Sequence, residues 1–320
     1  MRTLSILFLF FAACSPASAE TYPAKPIRLI VGFAPGGAAD IISRAMSDPL
    51  SRALGQPIIV DNKPGAGSSV AAEFVARSAP DGYTILIASQ SGMIINPLVN
   101  KTAKYSIEND FAPITQVTRS PLVVAVNPVL PVHSVQDLVT EAKKSPGKLN
   151  FSSSGNGSVP HLAAVLFEVL TGTEMVHVPY KSGGQSMQAV LAGDTQVTFG
   201  TAPSVMPLAS SGRLRGLAVT TRDRSPLIPG LPGMAEAGLP GYDLSIWYGF
   251  FAPAATPREI VMRLFEATRL ALQNENLKRV LAHDGTETAG SRSPEEFASF
   301  LREETKSTAN IVRRSGIRIE

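Results

Sequence analysis

The chain has 320 residues, 44% of them hydrophobic and 17% charged, with a formal net charge of +3. That composition is globular, long enough for two lobes of ordinary domain size, and it excludes a disordered chain. Lys and Arg form no basic run and there is one Trp, which argues against nucleic-acid binding, where basic clusters and stacking aromatics are needed.

The first residues set the compartment. Arg2 gives a positive start, and Leu4 to Ala13 is an apolar run too short to span a bilayer. Ala17-Ser18-Ala19 is the small-x-small pattern of a signal-peptidase site. Residues 1–19 therefore read as a signal peptide cleaved before Glu20, and the mature chain as periplasmic or secreted. Cys14 is the only cysteine and lies inside this segment, so the mature chain is expected to hold no disulfide and no thiolate metal ligand. Phe11-Ala12-Ala13-Cys14 resembles a lipobox, with Phe11 where an aliphatic residue is usual. Cleavage after Ala19 is favoured over lipidation of Cys14. No later stretch reaches about 18 uninterrupted apolar residues.

A strand-then-helix rhythm follows. Ile27 to Phe33 reads as a buried strand. Ala38 to Leu54 has helical period with Ile41, Ile42, Ala45, Met46 and Leu50 on one side, and Gly55 closes it. Pro49 is expected to kink or split that helix. Ile58 to Val60 is a strand, Ser68 to Ser78 a helix with Val70, Phe74 and Val75 as its apolar face, and Tyr83 to Ala88 a strand after the Asp81-Gly82 turn. Leu122 to Val126 is a strand, and Val135 to Lys144 a helix capped by Ser134. Strands at 149–152, 175–178, 196–199, 214–220 and 246–252 alternate with helices at 159–170, 185–191, 257–273, 277–283 and 294–313. Such alternation predicts an α/β fold of parallel sheets covered by helices.

Three loops lie after a strand and before a helix, where ligands of open α/β sheets bind and helix N-termini favour anions. The first is Gly32 to Asp40, with Gly36 and Gly37 for close backbone approach and Asp40 either capping the helix or holding the loop. It is neither a Walker loop nor a dinucleotide fingerprint. The second is Ala88 to Gly92, whose hydroxyls suit a carboxylate or a helix cap. The third is Ser152 to Ser158 with His161 in the next turn, a set of hydroxyls, flexible backbone and helix N-terminus that suits an oxyanion. His161 reads more readily as structural than as catalytic.

Enzyme readings find little support. There is no Gly-x-Ser-x-Gly elbow and no His-Glu-x-x-His helix. Ser145 and Lys148 match a bare Ser-x-x-Lys pattern, but in a Pro-Gly turn. His133, His161, His177 and His283 are dispersed without ligand-like spacing. A secreted hydrolase acting through Ser154 is the remaining enzyme alternative.

At these loops the sequence resembles the Bug family, the periplasmic substrate-binding proteins of tripartite tricarboxylate transporters. The motifs stand in order over the mature chain: Gly32-Phe33-Ala34-Pro35-Gly36-Gly37 with Asp40; Val60-Asp61-Asn62-Lys63-Pro64-Gly65-Ala66-Gly67; Ala79-Pro80-Asp81-Gly82-Tyr83; Ser153 to Ser158 with His161; His177-Val178-Pro179-Tyr180-Lys181; and Ala252-Pro253 with Thr256-Pro257. The resemblance implies a type II periplasmic-binding-protein fold, two lobes joined by two crossover strands with the ligand in the cleft. Residues 20–122 and 225–320 map to lobe 1, and 123–224 to lobe 2. It implies a small carboxylate ligand, di- or tricarboxylate or aromatic acid, handed to membrane transporter subunits by a monomer without cofactor or metal. A ligand-sensing partner of a membrane receptor is the alternative.

Carried over by motif, the ligand residues are Phe33, Gly36, Gly37, Ala38, Ala39 and Asp40 from lobe 1, with Ser89 added by its position after a strand. Lobe 2 supplies Ser154, Asn156, Gly157, Ser158 and His161. Phe33 with Trp247 or Tyr248 is expected to shape the rest of the pocket, and for Trp247 hinge or core packing is the preferred role. Two departures stand out. Ser182-Gly183-Gly184 follows Tyr180-Lys181 where the family usually has Gly, and Gly200-Thr201-Ala202 follows Phe199 where many members have Asp. The missing carboxylate weakens an acidic amino acid as ligand and puts Thr201 forward as a polar contact.

Overall fold

The structure is a computed structural model that describes residues 22–100 and 102–315. The expected signal peptide and Cys14 lie outside the described residues.

The first half is built on β1 (Ile27–Val31), β2 (Ile58–Asn62) and β3 (Thr84–Ala88), which pair in parallel in the order β2-β1-β3. Next to β3 lies β9 (Ser245–Pro253), antiparallel, and then β4 (Phe111–Val126). The side-chain period of two splits β1 between two cores. Leu29 and Val31 join Ile42 and Met46 of α1 (Ala38–Leu54) and Leu264 of α8 (Arg258–Leu272). Ile30 faces the other way, towards α2 (Ser69–Ala76) and Phe297 of α10 (Pro294–Ser315). The apolar face of α2 is Ala71, Ala72 and Val75; Val70, expected on it, is 49% exposed. In an alanine-rich helix the small side chains are the ones that let the helix approach the sheet.

β4, at 16 residues, is nearly three times the usual strand length of about 5–6 and belongs to both halves. Residues 111–121 pair with β9, and Leu122 to Val126 pair with β7 (Val197–Thr201) on one side and β8 (Arg215–Val219) on the other. Beyond β7 come β5 (Asn150–Ser153) and β6 (Val176–Pro179), parallel to one another. α4 (Val135–Lys144) and α5 (Val159–Thr171) cover one face of this second sheet, and α6 (Gly183–Ala192) and α7 (Ala202–Ser210) the other. Each sheet is thus mixed rather than purely parallel: β9 is the strand that runs against β1–β3 in the first, and β4 the strand that runs against β5–β7 in the second.

The two-lobed arrangement is therefore present, with β4 as one crossing and the path into β9 as the other. Thr220 fastens the crossing: its hydroxyl bonds the backbone of Leu122 and Leu244. Residues 226–244, expected with the first half, pack against the second. Tyr242 Oη donates to Ala163 O at 2.7 Å, Gln136 Nε2 to Ala237 O at 3.1 Å, and Ile228 lies in the core with Val123 and Val205. Pro49 does not split α1, which runs unbroken to a left-handed Gly55. The short α3 (Asn96–Val99), α9 (Glu275–His283) and the short β10 (Glu287–Thr288), which pairs with β4, complete these elements.

Candidate functional site in the cleft between the halves

The first loop is held by a network centred on Asp40. Its carboxylate accepts from Gly36 N at 3.1 Å, from Asn62 Nδ2 at 3.1 Å and from Arg44 Nε at 3.0 and 3.1 Å. Asn62 Nδ2 also donates to Phe33 O at 2.9 Å. Burial pushes the Asp40 carboxyl up, but the hydrogen bonds from Arg44, Gly36 and Asn62 outweigh it and hold the group below its ordinary range. Gly36 takes the left-handed φ of +82° that this turn needs. Asp40 therefore shapes the loop, and the N-terminal N–H groups of α1 are left at Gly37 to Ala39, where a helix has no partners of its own.

The second loop turns on Ser89, whose buried hydroxyl accepts from Ser91 N at 3.3 Å. Ser91 reaches across the cleft: its Oγ accepts from Val159 N at 3.0 Å. Ala34 N donates to Lys181 O at 3.2 Å, a second bond between the halves. The structure is the closed form.

The third loop is folded on itself. Ser153 Oγ accepts from Gly155 N at 3.0 Å, and Ser158 caps α5 by accepting from His161 N at 3.3 Å. Gly157 N donates to His161 Nδ1 at 3.3 Å. The His161 ring stacks on His177 with centroids 3.8 Å apart and planes 9° off parallel, and His177 stacks on Phe151 at 4.9 Å. His177 Nε2 shares a 2.6 Å hydrogen bond with Ser153 Oγ. Burial, with a smaller push from His177, lowers His161 to about 3, and burial lowers His177 to about 4. Both rings are neutral props for the loop. Two histidines that look dispersed in sequence are thus neighbours, yet no group of three His, Cys, Asp or Glu among the described residues suits a metal.

A small cavity lies between these loops, about 410 Å³ including its opening to solvent. Of the expected residues it brings together Phe33, Gly37, Ala38, Ala39, Ser154 and Thr201. Gly36, Asp40, Ser89, Gly157, Ser158 and His161 do not line it; they shape the loops that do. Asn156 is exposed, and its carbonyl lies where a Cβ on Gly67 would come to 2.6 Å. No charged side chain lines the cavity. What faces it is the N-termini of α1, α6 and α7, hydroxyls, and an apolar wall from Ile246, Tyr248 and Met187.

The model of the tripartite tricarboxylate transporter family receptor matches residues 42–317. The chain belongs to that receptor family. BugT of Bordetella pertussis is 34% identical over 323 residues, covering 100% of this chain and 99% of BugT. Among solved structures, Rpa4515 of R. palustris with adipate is 34% identical with a TM-score of 0.90, over 93% of this chain and 99% of that one. MatC of Rhodopseudomonas palustris with bound malate is 27% identical with a TM-score of 0.87, over 91% of this chain and 100% of that one. The type II periplasmic-binding fold is thereby established, and with it a role among solute-binding receptors of tripartite transporters.

In this receptor several lining residues were not among those expected. Gly183 and Ser186 come from α6, whose start at Ser182-Gly183-Gly184 is the departure from the family pattern noted in the sequence. Ser182 caps that helix by accepting from Gln185 N at 3.3 Å. Ile246 comes from β9 beside Tyr248, the pocket-shaping candidate of the sequence, on one face of the strand. Trp247 faces away and packs with Phe251, Phe297 and Phe300. Thr198, Gly200 and Thr201 floor the site from β7, with Thr201 Oγ1 donating to Ser204 Oγ at 3.0 Å.

Proposed function

We propose that this receptor captures a small carboxylate in the cleft and presents it, in closed form, to membrane transporter subunits. One observation carries the reading: three helix N-termini and the unpartnered Ser154 hydroxyl converge on a cavity with no charged side chain. Such a site suits a carboxylate, whose charge is met by helix N–H groups and dipoles. It does not suit an ammonium group, for which no carboxylate is at hand. The relatives with adipate and malate bound support a di- or tricarboxylate or related acid as ligand.

On this reading the ligand residues are Phe33, Gly37, Ala38, Ala39, Ser154 and Thr201, with Gly36, Asp40, Ser89, Asn156, Gly157, Ser158 and His161 ordering the loops. The lobes divide at Leu122 and at Leu244–Ser245. The receptor acts as an exported monomer, processed after Ala19, and without enzymatic activity. Calorimetry with succinate and adipate tests the site. Ser154→Ala removes a charge-assisted hydrogen bond and should lose about 1.5–3 kcal/mol of binding. Gly37→Val should also weaken binding, since a Cβ there already meets Gly183 N and Ser182 Cβ at 3.5 Å. Unchanged affinity in both variants would move the site elsewhere. Ester hydrolysis by the purified protein, lost in Ser154→Ala, would replace the receptor reading by the hydrolase one.

A further inference from the structure

Buried phenols in this molecule are hydrogen-bonded, with one exception. Tyr242 Oη donates to Ala163 O at 2.7 Å, and Tyr105 Oη bonds Gly92 O and Ser69 Oγ. Tyr248 is 4% exposed, and its hydroxyl has no hydrogen-bond partner among the described residues. A buried Tyr hydroxyl ordinarily finds one. Tyr248 lines the cleft cavity, so the partner it lacks is one the cavity would hold.

Three of the other lining hydroxyls have their hydrogens committed: Ser186 Oγ donates to Ser152 Oγ, Thr198 Oγ1 to Ser152 O and Thr201 Oγ1 to Ser204 Oγ. Ser91 Oγ is tied to the opposite half by accepting from Val159 N and keeps its hydrogen. The Ser154 and Tyr248 hydroxyls have no partner among the described residues. Ser154 stands in the loop that leads to a helix N-terminus. Tyr248 stands on β9, in the apolar wall beside Ile246. The cavity thus offers two unpartnered hydroxyls from different elements, one in the third loop and one in an otherwise apolar wall, beside the Ser91 hydrogen.

We propose that Tyr248 is the specificity-determining residue of the site, donating its phenolic hydrogen to an oxygen at the end of the ligand remote from the clamped carboxylate. The inference rests on the carboxylate reading above and narrows it. The preferred ligands are acids with a second oxygen acceptor, diacids foremost, over plain monocarboxylates of the same length. Burial raises the Tyr248 phenol, so it stays a donor across the working pH range.

The test compares succinate with butyrate and adipate with hexanoate, on the wild-type mature protein and on Tyr248→Phe, after unfolding and refolding to remove carried ligand. The wild type should prefer a diacid to its matched monoacid. In Tyr248→Phe, diacid affinity should fall about tenfold while monoacid affinity holds, so the preference collapses. Ligand-free Tyr248→Phe should melt no lower than the wild type, because no protein hydrogen bond is removed. An unchanged preference in the variant, or a ligand-free melting point lower by several degrees, would overturn the proposal. Failure of all four acids to bind the wild type, while neutral solutes bind, would overturn the carboxylate reading together with it.

Discussion

Asp40 and the histidine pair fix the backbone of the first and third loops, and on the proposed reading act on the ligand at one remove. Asp40 takes hydrogen bonds from Gly36, Asn62 and Arg44. Asp40→Ala leaves the buried end of that network unpaired and should cost about 1–3 kcal/mol of stability, read as a lower urea midpoint. Its carboxyl titrates lower in the folded chain than unfolded. Its stabilisation is therefore present above the unfolded value of about 3.9 and lost as pH falls through the lower folded value. The histidines act at milder pH. His161 and His177 titrate near 6.5 when unfolded but at about 3 and about 4 when folded. Below pH 6.5 the unfolded chain takes up protons that the folded chain refuses, so stability falls until those lower values are reached. The slope is up to about 1.4 kcal/mol per pH unit for each ring. The urea midpoint should drop between pH 7 and pH 5, and drop less in His177→Asn. Equal midpoints at both pH values would contradict the buried, neutral pair.

At the scale of elements, the two halves meet through their loops. Ser91→Ala removes the bond to Val159 N and should destabilise the closed form, weakening ligand binding by about 1 kcal/mol with an unchanged melting point for the ligand-free protein. Legibility in sequence followed local signals. α1 and α5 are closed by Gly55 and Gly172 and α4 is opened by Ser134, and their expected spans hold to within a residue. β4 was legible only over its apolar second half, because residues 111–121 mix Pro113, Thr115, Gln116 and Arg119 with apolar residues and show no clean alternation. α7 was missed because Pro203 and Pro207 mask its period, although Pro203 sits in the first turn, where no N–H is needed. Loop positions were legible, since each follows a strand. Which loop residues face the cavity and which turn back was not, because that depends on partners such as Asn62 and His177, distant in sequence.

For the whole molecule, the proposed function has the cleft open and close about the crossing at Leu122, Thr220 and Leu244. The closed form brings Gly184 so near Gly36 that a Cβ would meet Gly36 O at 2.9 Å. Gly184→Val should hold the cleft open. Small-angle scattering should show the wild type contracting when succinate or adipate binds, and the variant failing to contract.

The measurement that bears most directly on the carboxylate reading is a thermal-shift comparison of acids with their amides on refolded mature protein, with sugars as controls. An acid present at 100 times its Kd adds about 2.7 kcal/mol, a rise of a few degrees at this size. One or more acids should raise the midpoint while the matching amides leave it unmoved. A rise with amides or sugars and none with any acid would contradict an anion clamp built from helix N-termini.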